Sequence, residues 1–311
     1  MPIPGDRYRG ALLGLAAGDA LGTTLEFKPP GTFTPITDMV GGGPFNLAPG
    51  QWTDDTSMAL CLAESLIESN GFDPIDQLSR YVRWKRHGHH SSTDRCFDVG
   101  GTVLSALARF ERYSLPWSGS TDEYSAGNGS IMRLAPVPLY FANDPEVAIA
   151  RAADSSRTTH GAREAIDACR YLAGLIIGAL QHRSKNDLLA PLFTPVAGLW
   201  DREPLAPKIN DIANCSFLRR EPPEIKGSGY AVRSLEAALW AFEKSTSFAH
   251  GALLAVNLGD DADTTGAVYG QLAGTYYGVA GIPEGWRSKL ARLETLESFA
   301  TRLMRKGAGT S

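Results

Sequence analysis

The stretch QWTDDTSMAL, residues 51–60, places two adjacent aspartates between threonines, directly before a run of apolar residues. Met58, Leu62 and Leu66 recur at the spacing of one helix face, which predicts a helix over 53–69. Aspartate is a favoured N-cap, and an acidic first turn complements the helix dipole, so capping explains one carboxylate here. Capping explains the second carboxylate less well, and the pair therefore also indicates a bound cation.

Apolar residues at helical spacing extend over most of the chain, whereas evidence for strands is weak. Asp73-Pro74 and Asp144-Pro145 are each typical of an N-cap followed by proline at the first helical position. Residues 34–40 (TPITDMV) are compatible with one short strand. No strands alternate with helices, so a parallel α/β sheet is not expected. Further helices are predicted over 160–181, 228–243, 247–257, 264–280 and 285–305.

We therefore expect one compact all-α, multi-helix domain over residues 1–311, with its core at about 7–305. No internal repeat and no Pro/Ser-rich linker divides the chain. Long loops are expected near 27–52, 113–127 and 203–227, and the tail 306–311 is expected to fray.

Composition and charge exclude several classes of protein. The chain has 311 residues, 43% of them hydrophobic, which is enough for a large core. A net charge of -4 gives no electrostatic basis for nucleic acid as the main partner. No charge-free apolar stretch is long enough to cross a membrane, and MPIPGDRYRG lacks the regions of a signal peptide. We expect a cytoplasmic monomer whose four cysteines, Cys61, Cys96, Cys169 and Cys215, are small buried side chains without metal-binding spacing.

A second acidic stretch, NLGDDADTTGAVYG (257–270), also sets aspartates against threonines before a helix. Capping remains an explanation for either stretch taken alone. Four carboxylates brought together without counter-charge would repel, whereas two divalent cations would balance them. Carboxylate and threonine oxygens favour Mg²⁺ or Mn²⁺ over a zinc ion held by thiolate or imidazole. The four carboxylates are Asp54, Asp55, Asp261 and Asp263.

These stretches belong to a longer series of motifs in a fixed order. With that series the chain resembles the ADP-ribosylglycohydrolase family, from about residue 7 to about residue 285. Any one motif would be weak evidence, but the series is specific. The motifs are RYRGALLGLAAGDALGTTLEF (7–27), WTDDT (52–56), CFDVGGT (96–102), GNGSIMRLAPV (127–137), TTHG (158–161), GYAVRSLEAALWAF (229–242) and NLGDDADTTGAVYGQLAGTYYG (257–278).

The resemblance implies an all-helical fold with a binuclear site for two Mg²⁺ or Mn²⁺ ions. It implies that one set of metal ligands is Thr53, Asp54 and Asp55, and that the other is Asp261, Asp263 and Thr264. The family usually has glycine where this chain has Asp260. We assign Asp261 as the ligand because it keeps the D-x-D-T spacing.

The family cleaves the N- or O-glycosidic bond between ADP-ribose and a modified protein or small molecule, releasing ADP-ribose. The resemblance implies that Glu26 is the general acid or base, with Asp55 and Asp261 also in the catalytic group. Taken alone, Glu26 would be an ordinary acid after a helix end. ADP-ribosyl-arginine on a protein is the favoured substrate. Serine, nucleobase and small-metabolite linkages remain alternatives, and nucleic acid is not expected except as a modified substrate.

ADP-ribose carries two phosphates, and helix N-termini with small residues suit phosphate binding. Each such segment alone is also typical of a plain turn and cap. The resemblance implies that loops 100–102 and 127–130 hold the pyrophosphate and distal ribose, and that Tyr230 stacks on the adenine or packs near it. The expected substrate-binding residues are Asp98, Gly100, Gly101, Ser125, Gly127, Asn128, Gly129, Ser130, His160 and Tyr230.

Arg133 and a histidine-rich segment each have two possible roles. Arg133 lies near the second phosphate loop and is equally compatible with a structural role and with a phosphate contact. The group HGHH contains His87, His89 and His90, which suggest a metal site. No partner cluster is visible in the sequence, so we predict a solvated helix end instead.

Other functions fit the sequence less well. A terpene synthase would need an aspartate where the chain has Met58, and a His-Asp phosphohydrolase would need a dipeptide that is absent. A non-catalytic ADP-ribose-binding or nucleotide-binding module on the same fold is the main alternative, because fold alone does not establish activity. The presence of Glu26 and a complete set of metal ligands favours the enzyme.

Overall fold

The chain folds into helices joined by loops, as the apolar spacing predicts. The computed structural model describes residues 5–307, and within this range there is no strand, only isolated bridges. No helix in that range has the length and apolar character needed to cross a bilayer. The α-helices are α1 (Asp6–Gly22), α2 (Asp54–Glu68), α3 (Pro74–His87), α4 (Gly101–Tyr113), α5 (Pro136–Tyr140), α6 (Pro145–Arg157), α7 (Arg163–Leu180), α8 (Lys185–Leu188), α9 (Leu199–Arg202), α10 (Pro207–Ala213), α11 (Ala231–Lys244), α12 (Phe248–Val256), α13 (Ala262–Tyr277), α14 (Glu284–Arg287) and α15 (Leu293–Gly307).

Helices α1 and α13 form the centre of the single domain and lie antiparallel. Both are buried along most of their length, and glycines on each face the backbone of the other. A Cβ atom added at Gly14 would lie 2.3 Å from the Gly270 carbonyl oxygen, and one added at Gly22 would lie 2.3 Å from Asp263 Cα. Only glycine permits such an approach. The contact therefore brings the end of α1, which carries Asp19, to the start of α13, which carries Asp263.

Substituting Gly270 by alanine is expected to destabilise the protein by about 3 kcal/mol, because overpacked backbone contacts have no side chain that can move aside. The added Cβ would lie 2.0 Å from the Gly14 carbonyl oxygen. Gly174→Ala in α7 is the matched control, since its Cβ would meet its nearest neighbour, Pro195, at an ordinary 3.4 Å. That control is expected to be neutral or to stabilise by about 0.5–1 kcal/mol through helix propensity. Urea denaturation of both variants measures the difference, and equal unfolding free energies would contradict the close α1–α13 contact.

Most predicted helices are confirmed, with Asp73 and Asp144 as N-caps that accept backbone hydrogen bonds at α3 and α6.

The short strand predicted over 34–40 is wrong. There the side chain of Asn257 bonds both the N–H and the C=O of Ile36, at 2.8 and 3.0 Å. A single amide side chain thus satisfies the backbone groups that a neighbouring strand would otherwise pair.

Three boundaries also differ from the predictions. The helix predicted over 285–305 is two helices, α14 and α15, separated by a turn in which Arg292 has a φ of 47°. The loop predicted over 203–227 contains α10 and a 3₁₀ turn at Ser216–Arg219. The predicted frayed tail begins too early, because α15 extends to Gly307; residues 308–311 lie outside the described range.

Candidate active site and metal centre

The N-terminus of α2 is capped from another helix, which leaves its own aspartates available. Asp19 of α1 accepts hydrogen bonds from the N–H groups of Thr53 and Thr56, at 2.9 and 3.0 Å. It also accepts from their hydroxyl groups, at 2.9 and 2.6 Å. Thr53, the N-cap residue, makes no side-chain cap of its own. Capping therefore does not account for Asp54 and Asp55, which are buried at this helix start.

The N-terminus of α13 presents its carboxylates to the same place. Asp261 is the N-cap residue but does not cap with its side chain; its Oδ2 accepts a hydrogen bond from Asn128 Nδ2 at 2.7 Å. Asp263 Oδ2 lies 3.1 Å from Thr53 Oγ1, which joins the two acidic stretches. Asp260 has a φ of 53°, in the region that favours glycine, and is not among the residues that line the cavity described below. The geometry therefore favours Asp261 over Asp260 as the ligand.

Carboxylate oxygens converge in two groups that share one residue. Asp19, Asp55 and Asp263 each place an oxygen within 4.8 Å of the others, and so do Glu26, Asp98 and Asp263. Within the described residues, the buried oxygens Glu26 Oε2, Asp55 Oδ1 and Asp263 Oδ1 have no hydrogen-bond partner. Buried carboxylates without partners are costly unless a cation balances them. This all-oxygen donor set fits divalent metal ions such as Mg²⁺ or Mn²⁺.

The crowding of these acids is reflected in their proton affinities. Burial, followed by repulsion from neighbouring carboxylates, raises the pKa values of Asp54, Asp55 and Asp263 well above the ordinary aspartate value. The same causes, with burial the larger, raise the pKa of Glu26 to about 10 and that of Asp98 to about 6. A bound cation would lower all of these pKa values, because it favours the charged carboxylate.

Metal-free protein is expected to lose stability as the pH rises from about 4 to about 6. Burial raises the pKa of Asp19 from 3.8 to about 6, and that of Asp98 also lies at about 6. A raised carboxyl pKa contributes stability that is fully present below the unfolded value and is lost as the pH rises through the folded value. The gain in melting temperature on adding Mn²⁺ to chelator-treated protein should therefore increase across this range. A gain that does not change with pH would contradict the interpretation.

Above the acidic groups lies a cavity of about 350 Å³, a size found for small-ligand sites. Glu26, Asp54, Asp261 and Asp263 are in its wall, and Thr264 lines it from α13. The ligands Thr53 and Asp55, predicted from the sequence, are buried and are not among the lining residues. Thr53 and Asp55 are therefore placed to contact a cation on its side away from the cavity, and not to contact a substrate.

The N-terminus of α4 also lines this cavity. Gly100 is its N-cap residue, Gly101 its first residue, and Asp98 precedes them with a φ of 53°. All three line the cavity, and a Cβ atom at either glycine would meet nothing within 4 Å. The free N–H groups of a helix start with no side chain in front of them suit phosphate oxygens.

The loop 127–130 forms another wall and is held in place by Arg133. The fully buried Arg133 guanidinium donates to the Gly129 carbonyl and to Thr159 Oγ1, both at 2.6 Å, and lies over the Tyr81 ring. These partners answer the question left by the sequence: Arg133 is structural. Gly127, Asn128 and Gly129 of this loop, which the sequence predicts to bind substrate, line the cavity.

His160 lines the cavity as a neutral side chain. Thr159 Oγ1, which accepts from Arg133, lies 2.8 Å from His160 Nδ1, and donation by this hydroxyl to Nδ1 would place the imidazole proton on Nε2. Burial, with a smaller effect of Arg133, lowers the pKa of His160 to about 3. A neutral N–H donor in the wall suits a hydroxyl or phosphate oxygen rather than acid–base catalysis at neutral pH.

Three other predicted substrate-binding residues lie elsewhere. Tyr230 lines a second cavity of about 620 Å³, which shares Thr102, Gly127 and Gly229 with the first. Ser125 donates to the carbonyls of Ser120 and Asp122, and lines neither cavity. The Ser130 hydroxyl is buried among Ser156 and Cys169 and also lies outside both linings.

Sequence reasoning missed Asp19 and Phe27. Asp19 is a fully buried acid in the otherwise apolar second half of α1, and that isolation within GLAAGDALG is the signal that could have identified it. Phe27 lines the cavity while 65% exposed, and forms an aromatic row with Phe45 and Phe97. Only its position beside Glu26 indicated a role.

Comparison with known proteins identifies the family. A model of the family described as ADP-ribosylglycohydrolase matches residues 2–311. The chain belongs to the ADP-ribosylglycohydrolase family. The expected all-α fold and the assignment as a hydrolytic enzyme are thereby confirmed.

Individual relatives match this ADP-ribosylglycohydrolase over nearly the whole of its own length. It is 43% identical to the ADP-ribosylarginine hydrolase Tri1 of Pseudomonas putida (strain GB-1), over 96% of this chain and 78% of the relative. It is 33% identical to the ADP-ribosyl-[dinitrogen reductase] glycohydrolase of Rhodospirillum rubrum, over 93% and 92%. A solved structure, an ADP-ribosylglycohydrolase-related protein complex, matches with a TM-score of 0.86, 46% identity, and coverage of 99% of this chain and 100% of that one.

Proposed function

We propose that this ADP-ribosylglycohydrolase hydrolyses the N-glycosidic bond between ADP-ribose and an arginine side chain, with two Mg²⁺ or Mn²⁺ ions in the acidic centre. The single observation that carries the proposal is the pair of carboxylate groups that share Asp263 beneath a cavity of suitable size. Relatives named ADP-ribosylarginine hydrolase, 43% and 42% identical, support arginine as the linkage.

The two cations would be held by the oxygens of Thr53, Asp54, Asp55, Asp261, Asp263 and Thr264, of which Asp55 and Asp263 also belong to the two carboxylate groups. When bound, they would supply Lewis-acid chemistry for ribose hydroxyls and water. Asp19 orients Thr53 toward this centre through two hydrogen bonds of 2.9 Å. Asn128 fixes Asp261 through its contact with Oδ2.

The substrate's pyrophosphate is placed at the N-terminus of α4, beside the loop 127–130. Its adenine then lies in the second cavity, where Tyr230 offers an aromatic face. Lys208 and Glu164 hold the Tyr230 hydroxyl, which fixes the ring. This placement leaves the anomeric carbon above the acidic centre, near Glu26.

Glu26 is the acid–base group of the proposal. It is buried, it lines the cavity, and its Oε2 has no partner among the described residues. A carboxyl group whose pKa is raised by burial holds a proton more readily, and a nearby carboxylate stabilises an oxocarbenium-like transition state. Glu26 Oε2 is therefore the atom that exchanges a proton with the attacking water or the leaving nitrogen.

The linkage is tested by incubating the full chain with Mg²⁺ or Mn²⁺ and ADP-ribosyl-arginine, ADP-ribosyl-serine peptide or ADP-ribosylated DNA. Mass spectrometry follows the release of free ADP-ribose, with a chelator as control. Metal-dependent release from the arginine substrate alone is expected. Release only from another substrate would replace arginine with that linkage, and tight ADP-ribose binding without any release would favour a binding module.

We further propose that the protein works as a cytoplasmic monomer. All four cysteines are free thiols, and three of them are buried, which suits a reducing compartment. Fractionation and light scattering test these two assignments.

A further inference from the structure

A second group of metal-ligating side chains lies outside the acidic centre. His89 and His90 follow α3, where the sequence predicted a solvated helix end without partners. That prediction holds for His87, which is exposed, but is wrong for the other two. His89 and His90 are largely buried, and both face Glu64 of α2. The partner was invisible in the sequence because it lies on the preceding helix.

The spacing of the three ligand atoms suits one small cation. His90 Nε2 lies 3.3 Å, and His89 Nε2 2.7 Å, from Glu64 Oε2, and all three atoms lie within 4.8 Å of one another. Ligand atoms about 2.1 Å from a tetrahedral zinc ion are about 3.4 Å apart. The His90 distance already matches this value, and a shift of less than 1 Å would bring His89 to it.

An unpartnered atom points into the same space. His90 Nε2 is buried and has no hydrogen-bond partner among the described residues, although Glu64 Oε2 lies 3.3 Å away. The ring is fixed by edge-on packing against Phe299, with 5.4 Å between ring centroids, and the His90 carbonyl accepts from Trp52 Nε1. A buried nitrogen held in place without a partner is a candidate metal ligand.

We propose that Glu64, His89 and His90 form a second metal site, for a zinc-like transition-metal ion, separate from the acidic centre. Two imidazoles and one carboxylate suit Zn²⁺, with solvent in the fourth position, and suit Mg²⁺ poorly. The ligand sets of the two sites therefore select different metals.

Arg80 is compatible with this site although it contacts the same oxygen. Its Nη1 lies 2.6 Å from Glu64 Oε2, but its Nε and Nη2 bond Asp76 at 2.6 and 3.3 Å. When a cation takes Glu64 Oε2, the guanidinium keeps its second carboxylate partner. Arg80 thus remains paired in both states, and no buried charge is left without a partner.

The site would fix the segment that leads into α2. Ser92 Oγ donates to the Trp52 carbonyl at 2.6 Å, directly before Thr53 of the acidic centre. A metal that joins His89 and His90 to Glu64 would therefore fasten the loop 88–93 to α2. The expected effect is a gain in thermal stability, because metal binding to the folded chain stabilises it by mass action.

The test is calorimetric titration of the full chain with Zn²⁺ in excess Mg²⁺. One zinc equivalent that depends on the histidines is expected, with a rise in melting temperature. Loss of a residue that only positions a metal ligand lowers metal affinity about 10–100-fold. Loss of a ligand itself should have a larger effect, so His89→Ala and His90→Ala should each weaken Zn²⁺ binding by more than about 100-fold. His87→Ala is the matched control and should bind Zn²⁺ as the parent does.

If Zn²⁺ binds at the acidic centre instead, its affinity will be the same in the histidine variants and in the parent. Equal Zn²⁺ binding by all variants would therefore overturn the proposal. Co²⁺ added to the unmodified chain gives a readout that does not depend on folding of a variant. We expect a visible spectrum typical of tetrahedral nitrogen and oxygen ligation. This spectrum should disappear when one equivalent of Zn²⁺ is added. An octahedral spectrum alone would contradict the site. Neither result depends on the hydrolase activity.

Discussion

Replacing Asp263 by asparagine is expected to lower kcat about 1,000-fold, since each divalent cation contributes several kcal/mol of transition-state stabilisation. Asp263 is the residue shared by both carboxylate groups, so its loss weakens both at once. Asparagine keeps the shape, and its amide can still pair with Thr53 Oγ1, which lies 3.1 Å from Asp263 Oδ2. The variant should therefore fold but bind less Mn²⁺. Calorimetry with Mn²⁺ and steady-state turnover measure both effects.

The metal-free Asp263→Asn protein should also be more stable than the metal-free parent. Burial and neighbouring carboxylates raise the pKa of Asp263, so a neutral side chain removes an unfavourable charge. Asp260→Asn is the matched control, because this neighbour lies outside the cavity lining and asparagine tolerates its φ of 53°. Its turnover should stay within about twofold, as for surface substitutions. Unchanged Mn²⁺ affinity in the Asp263 variant would refute the acidic metal centre.

Glu26→Gln should lower kcat by about 10²–10⁴-fold, the usual contribution of a general acid or base. Glutamine fills the same space but can neither take up nor release the proton at Oε2. ADP-ribose affinity should change little, because the proposed phosphate and adenine contacts are made by α4, the loop 127–130 and Tyr230. Turnover of ADP-ribosyl-arginine and calorimetric binding of ADP-ribose separate the two effects.

Glu26 also belongs to one of the two carboxylate groups, which makes the Mn²⁺ stoichiometry of this variant decisive. Retained cations together with lost turnover would support the acid–base role. Loss of one cation would assign Glu26 as a metal ligand instead. Full turnover in the variant would remove Glu26 from the mechanism, and absence of turnover in the parent as well would support a non-catalytic ADP-ribose-binding protein.

Local sequence was sufficient for most helices because their signals lie within one turn. Asp73 and Asp144 cap the helices that they precede, and apolar spacing set the length of α2 and α12. The predictions from sequence are wrong where a residue distant in the chain makes the deciding contact. Asn257 takes the backbone hydrogen bonds of Ile36, which removes the need for a strand over 34–40.

The sequence by itself determined the helices, the two acidic stretches and the hard-oxygen character of the metal ligands. These properties follow from residue type and from neighbours a few positions away. Only the tertiary structure decided that Asp19 caps α2, that Asp263 serves both carboxylate groups, and that Glu64 meets His89 and His90. Each of these contacts joins different helices, and its distance depends on how closely the helix backbones approach. Glycines between α1 and α13 set that approach at the centre, where carboxylates distant in sequence become neighbours.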